Sequence, residues 1–232
     1  MTVVDTRDAA LQAACPVLPV PRFGELPPAT PGQRVLLARD GVYLEVTRSW
    51  FGCVHKLASL PRNPPLPYGV VREVIHFAFG VIPITLLERF VAYGRQCLPN
   101  EAAGALVYSR ERGSLRLVLH EALQAGPDGI DYRVADLGAD EELAIDLHTH
   151  GTLSAFWSAT DNADDQGVKV CGVFGNLDRS RPSAAFRLAV NGHFIALPHP
   201  WERAEPAAEV DVAGSCPTLS SMGFETCSLW NT

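Results

Sequence analysis

The sequence predicts an α/β (α+β) fold with a mixed sheet and few helices, preceded by a small β-rich module. Three observations support this. Short runs of apolar and β-branched residues recur between turn signals from residue 101 to 197. One segment, 83–97, has clear helical periodicity. A proline-dense stretch near residue 64 separates an alternating, hairpin-like region from the rest. The 232 residues, 47% of them hydrophobic, suffice for one medium domain with a companion.

Residues 1–33 contain Pro16, Pro19, Pro21, Pro27, Pro28 and Pro31 and read as an irregular lead-in with some extended segments. Residues 34–38 and 42–47 alternate around Asp40-Gly41, a strong hairpin signal. Pro61-Arg62-Asn63-Pro64-Pro65-Leu66-Pro67 reads as a linker stiffened toward polyproline II. The expected organisation is a β-rich module over 1–67, a larger domain over 68–200 and a tail over 201–232, docked by Trp201 and Trp230 if at all.

In the larger domain, Pro83 suits the first turn of a helix. Leu86, Leu87, Phe90, Val91, Gly94 and Cys97 then fall on one face, and Pro99-Asn100 ends it. Residues 101–108 read as a buried strand, and 114–123, 131–137 and 143–148 as three more. Residues 158–166 read as a helix and 168–174 as another buried strand. Residues 185–190 and 193–197 form a hairpin about Asn191-Gly192.

The net charge is −7, with no long basic run, so a general role in binding phosphate backbones is not expected. The most apolar window, 70–90, is broken by Arg72, Glu73, His76, Pro83 and Glu88, too interrupted for a membrane span. The start has no basic segment followed by an uninterrupted apolar one. Cys15, Cys53, Cys97, Cys171, Cys216 and Cys227 show no paired spacing. Reduced thiols in a cytoplasmic protein are the expectation.

The chemistry concentrates in His148-Thr149-His150, followed seven residues later by Ser158-Ala159-Thr160-Asp161. On a strand, residues i and i+2 point to one side, so His148 and His150 can share a ligand. Such a pair also occurs in ordinary cores. Ser158 and Asp161 have the spacing of a capping box, which fixes a helix start and orients the carboxylate. Zinc hydrolases keep three protein ligands and an open position, and a nearby carboxylate moves the proton. Glu101, at the head of the first buried strand, can reach the same sheet edge.

Glu101-Ala102-Ala103-Gly104, His148-Thr149-His150 and Ser158-Ala159-Thr160-Asp161, in that order after an amphipathic helix, resemble the JAMM (MPN+, Mov34/PAD-1, JAB) zinc metalloprotease family over about residues 75–198. The whole chain resembles the bacterial PRTRC system protein A branch of that family. The resemblance implies a cytidine-deaminase-like MPN/JAB domain with a mixed sheet flanked by helices. It implies one Zn²⁺ per chain on His148, His150 and Asp161, with water as the fourth ligand. Glu101 would be the general base and acid, and Ser158 would donate a hydrogen bond to the developing oxyanion. The activity implied is hydrolysis of a peptide or isopeptide bond, often at the C-terminus of a ubiquitin-like protein. A ThiF-like (E1-related) protein is an expected partner. Many deubiquitinating relatives have proline after the second histidine, where this chain has Gly151. A more mobile loop is expected to follow. The connections after Gln166 are also short, leaving little room for loops that grip ubiquitin itself.

Asp164 and Asp165 are candidates to orient the ligands, or are solvated, and Asp146 is a weaker candidate. Phe156 and Trp157 line a groove or cover the core. His55, His76, His120, His193 and His199 read as structural. A catalytically idle scaffold and a zinc hydrolase of non-peptide substrates are the alternative functions.

Overall fold

The computed structural model describes residues 5–60, 65–127, 129–134, 136–198, 200–202 and 225–226. The chain divides into two compact units, Met1–Gly80 and Val81–Thr232.

The first unit opens with helix α1 (Thr6–Ala14), where the lead-in was expected to be irregular. Alanine, leucine and glutamine favour helix, and the Asp5 side chain caps it by accepting the Arg7 N–H at 2.9 Å. None of its residues is buried. Strands β1 (Val17–Pro19), β2 (Gly32–Ala38), β3 (Gly41–Thr47), β4 (Phe51–Ser59) and β5 (Val74–Phe77) form one sheet in that order. Val20, Leu36, Ala38 and Tyr43 make one core cluster, and Trp50 stacks with Phe77 and Phe79. Ala38 pairs with Gly41, so the hairpin turn is Arg39-Asp40. Gly41 is needed for a different reason: a Cβ there would meet the Ala58 carbonyl oxygen at 2.4 Å.

The boundary expected at residue 67 falls at Gly80/Val81. Residues Val74 to Phe77 pair with β4, from Val54↔Val74 to Phe51↔Phe77, and complete the first sheet. Residues 61–64 of the expected linker lie outside the described residues.

The second unit begins with β6 (Ile82–Pro83) and α2 (Ile84–Cys97), which buries Leu87, Phe90, Val91 and Gly94. The main sheet contains β7 (Ala103–Ser109), β8 (Ser114–Leu119), β11 (Glu141–Thr149), β12 (Val168–Gly175), β13 (Ser183–Val190) and β14 (His193–Ala196), ordered β14-β13-β12-β11-β7-β8. The short strand β16 (Glu225–Thr226) also pairs with β13, and β15 (Trp201–Glu202) pairs with β6. Strand β11 runs parallel to β12 and antiparallel to β7, so the sheet is mixed. Helix α3 (Ala159–Asp164) lies in the crossover between β11 and β12.

The expected strand 114–123 is two strands. It breaks at His120, and β9 (Glu121–Gly126) leaves the sheet to pair with β10 (Gly129–Arg133). At the β13–β14 turn, Asn191 and Gly192 have φ of 49° and 85°, the conformation Asn-Gly supplies most readily.

Helix α2 covers one face of the sheet. Its Phe90 ring lies 5.6 Å from that of Phe174. A Cβ on Gly104 would come within 3.0 Å of Phe90, and one on Gly94 within 3.0 Å of Thr149. Each fully buried side chain of this kind contributes roughly 1.5–3 kcal/mol. Thr149 points to the α2 face, so His148 and His150 point to the other, where α3 sits. Among the described residues no helix is long and apolar enough to cross a membrane. The expected tail lies mostly outside the described residues, Trp230 included.

Candidate metal centre

Strand β11 ends at Thr149 and delivers the two imidazoles. The His150 N–H donates to the Phe174 carbonyl at 2.8 Å, which carries the chain one residue beyond the strand without losing register. The two Nε2 atoms stand 3.2 Å apart. Asp161 Oδ1 lies 3.3 Å from His148 Nε2, and Asp161 Oδ2 lies 3.7 Å from His150 Nε2. Among the described residues, these three are the His, Cys, Asp or Glu side chains that gather to hold a metal, with all ligand atoms within 4.8 Å of one another.

The fit can be judged from these distances. Tetrahedral zinc with bonds of about 2.0–2.1 Å keeps its ligand atoms about 3.3 Å apart. The distances from His148 Nε2 to His150 Nε2 and to Asp161 Oδ1 are close to that edge length, His150 Nε2 meets the other carboxylate oxygen, and two imidazole nitrogens with a carboxylate oxygen form a donor set zinc accepts.

Electrostatics favour the ligating protonation states. Burial lowers the pKa of His150, and the adjacent His148 lowers it further against the pull of Asp161, which favours the neutral, metal-binding imidazole. Burial alone would raise the pKa of Asp161. The His148 contacts and the Ser158 hydrogen bonds outweigh it and hold the carboxyl well below the usual range.

Ser158 is the N-cap of α3 and forms a complete capping box. Its Oγ accepts the Asp161 N–H at 3.1 Å, and Asp161 Oδ2 accepts the Ser158 N–H at 2.6 Å. The cap therefore aims the carboxylate at the histidines, and the structural and ligating roles coincide. The Ser158 hydroxyl acts as an acceptor in the cap and keeps its own proton to donate.

Glu101 is largely buried and lines the same cavity as His148, His150, Ser158 and Asp161, a space of about 430 Å³. Its N–H donates to the Gly126 carbonyl at 2.9 Å. The next residue, Ala102, is tied to β11 twice: its N–H donates to Thr149 Oγ1 at 2.9 Å, and its carbonyl accepts the Thr149 N–H at 3.0 Å. The residue between the histidines thus ties the Glu101-Ala102 segment to the strand that carries them. The hairpin β9–β10 supplies Ile130 and Tyr132 to the cavity wall, and Leu153 and Phe156 supply more apolar lining.

Of the other candidates, Asp165 is buried and bonded to Arg187, whereas Asp164 is exposed at the cavity edge. Asp146 accepts from Lys169 Nζ at 2.7 Å. The Phe156 ring lies 4.4 Å from that of His150. Trp157 faces the edge of His148 at 6.1 Å, and its other neighbour is the Arg187 guanidinium at 3.9 Å. The loop after Gly151, expected to be mobile, is tied back to the sheet. Leu153 N donates to His150 O at 3.0 Å, Leu177 N to Gly151 O at 3.0 Å, and Ala155 N to Ser183 Oγ at 2.8 Å. Gly151 has φ 54°, which a proline ring cannot adopt, so this backbone path has no place for proline at that position.

Sequence reasoning missed Lys169 and Arg187. Lys169 Nζ bridges Asp146 and Asp165 at 2.7 and 3.2 Å, and Arg187 bonds Asp165 and Asn162. Burial works against the charged Lys169, but Asp146 beside it raises the pKa above the ordinary range. Both residues interrupt otherwise apolar strands, Val168–Gly175 and Ser183–Val190. A charge inside a buried run must find a partner, and that was the available signal.

Residues 83–189 match the family described as prokaryotic homologs of the JAB domain, a span that lies within the second unit and includes every candidate site residue. Residues 5–78, nearly all of the first unit, match the domain of unknown function DUF2016. No curated protein matches the chain. The solution structure of protein DSY2949 from Desulfitobacterium hafniense is similar at 18% identity and a TM-score of 0.39, over 50% of this chain and 87% of that one. A likeness that low carries no argument about function.

Proposed function

We propose that the second unit is a zinc-dependent metallopeptidase or isopeptidase. The supporting observation is the triad His148, His150 and Asp161, with ligand atoms within 4.8 Å of one another, lining a cavity that Glu101 and Ser158 also line. The JAB-type domain is compatible with hydrolase activity.

His148, His150 and Asp161 would hold the metal. A zinc ion held there would supply Lewis-acid polarisation of a carbonyl and a water of pKa lowered toward about 7. Glu101 takes the proton released by the attacking water and delivers it to the departing amine nitrogen. Ser158 donates its O–H to the carbonyl oxygen as negative charge develops there, an interaction of the kind worth about a hundredfold or more in rate. The apolar side of the cavity, Ile130, Leu153 and Phe156, excludes water from the bond being cut.

The finer reading places the chain with the PRTRC system protein A branch of JAMM enzymes. On that reading the substrate is the C-terminal region of a small ubiquitin-like protein and a ThiF-like protein acts with it. Both follow from the sequence resemblance.

The test compares wild type with Glu101→Gln on a ubiquitin-like fusion whose C-terminal junction is a peptide bond. Wild type is expected to cleave it, and Glu101→Gln to lose about 10²–10⁴-fold in rate with its zinc retained. Equal turnover by both would remove Glu101 from the mechanism. Failure of wild type on every fusion would favour a non-catalytic scaffold.

A further inference from the structure

Helix α3 carries Asp161, yet it has six residues and none of them is fully buried. An isolated helix of that length does not persist in water, and this one has no apolar face packed into a core to hold it. Its attachment must come from elsewhere.

The structure points to Arg187. This side chain is 4% exposed and lies on β13, opposite Cys171 of β12. Its guanidinium is fixed in all directions. Nε and Nη2 donate to Asp165 Oδ2 at 3.1 and 2.5 Å, and Nη1 donates to Asn162 Oδ1 at 2.5 Å. The Trp157 ring lies 3.9 Å from its carbon and the Phe194 ring 4.0 Å. Burying a charge costs free energy that hydrogen bonds and an opposite charge must offset, so such a group is not neutral filler.

Three of its four partners belong to one short segment. Trp157 immediately precedes Ser158, Asn162 immediately follows Asp161, and Asp165 caps the end of the helix. The contacts bracket the residues that ligate and donate, and none reaches a ligand directly. We infer that Arg187 is a positioning residue for the metal triad: its planar fork and two stacked faces dock α3 on the sheet so that Asp161 meets His148 and His150. Lysine has one ammonium in place of a fork and does not replace it. The inference rests on the metal reading above.

The experiment measures zinc affinity by competition with a chelator, and the visible absorption of the Co²⁺-substituted protein, well below the unfolding midpoint. It uses the full chain as wild type, His148→Ala, Arg187→Met, Arg187→Lys and Asn162→Ala. Wild type is expected to bind one zinc and give the intense bands of four-coordinate cobalt, and His148→Ala to lose both. Arg187→Met is expected to bind zinc 10–100-fold more weakly, the loss typical when a group that orients a ligand is removed, with altered cobalt bands. Arg187→Lys is expected to recover only part of that loss. Asn162 is exposed, so Asn162→Ala folds even if Arg187→Met does not, and it is expected to weaken zinc at least about threefold. A purely structural Arg187 would lower the unfolding midpoint and leave the affinity and the cobalt spectrum of the folded protein unchanged. Wild-type affinity in a folded Arg187→Met, or in Asn162→Ala if Arg187→Met does not fold, overturns the inference and leaves the metal reading standing. Absence of zinc binding by wild type overturns both.

Discussion

Replacing Thr149 by valine separates the residue that positions Glu101 from the residues proposed to hold the metal. Thr149 is fully buried. Its Oγ1 accepts the Ala102 N–H at 2.9 Å, and its methyl packs toward Gly94. Valine keeps that methyl and replaces the hydroxyl by a group of similar size, so no cavity opens. The Ala102 N–H is then left buried without its acceptor, at a cost of about 1–3 kcal/mol. For a chain of this size each kcal/mol moves the midpoint by roughly 2–4 °C, so a fall of about 2–12 °C follows. The assay is thermal unfolding of the zinc-free protein by circular dichroism, with zinc affinity measured alongside. Affinity is expected to change little, because Thr149 points to the α2 face and the histidines to the other. Hydrolysis is expected to fall, because the Glu101-Ala102 segment has lost one of its two ties to β11. An unchanged midpoint would show that the hydroxyl does not satisfy Ala102. Loss of zinc would show that the two faces are not independent.

Gly151→Ala places a Cβ on a residue with φ 54°, 3.3 Å from the Pro99 carbonyl oxygen, and is expected to cost about 1–2 kcal/mol in urea titration; a wild-type midpoint would contradict that backbone conformation. His120 is buried with its ring stacked 4.6 Å from Tyr132, and burial lowers its pKa against the opposing charge of Asp146. The unfolded chain therefore takes up this proton first, near pH 6.5. The stabilisation from a neutral His120 is complete above that pH and is lost as pH falls toward the lower folded value. His120→Phe is expected to flatten the decline in unfolding free energy between pH 7 and 5.5, by at most about 1.4 kcal/mol per pH unit; parallel curves for the two proteins would contradict it.

Much of the second unit was legible because its signals are local. Asn191-Gly192 specifies its own turn, Leu87, Phe90, Val91 and Gly94 mark the buried face of α2, and Ser158 with Asp161 marks the start of α3. The period-two rule placed His148 and His150 on one face before any coordinates. What stayed hidden depends on long-range pairing. Strand β5 belongs to the first unit because Phe77 reaches Trp50, and nothing within residues 74–77 says so. The break at His120 reflects the departure of β9 and β10 from the sheet, which a continuous alternating run conceals. Lys169 and Arg187 lie within apolar strands, and their partner Asp165 sits on a crossover that only the fold brings back. Helix α1 is masked by the prolines that crowd residues 16–31, although Asp5 and the alanines are sufficient for a short helix.

The most direct test is the metal content of protein purified without added chelator, for wild type, His148→Ala and Asp161→Ala, by elemental analysis per mole of chain. One zinc in wild type and less than about a tenth of that in each variant, all three folded, is the expected result. Equal zinc in wild type and Asp161→Ala would contradict the triad. Zinc-free wild type that binds none on titration would contradict the metal centre altogether.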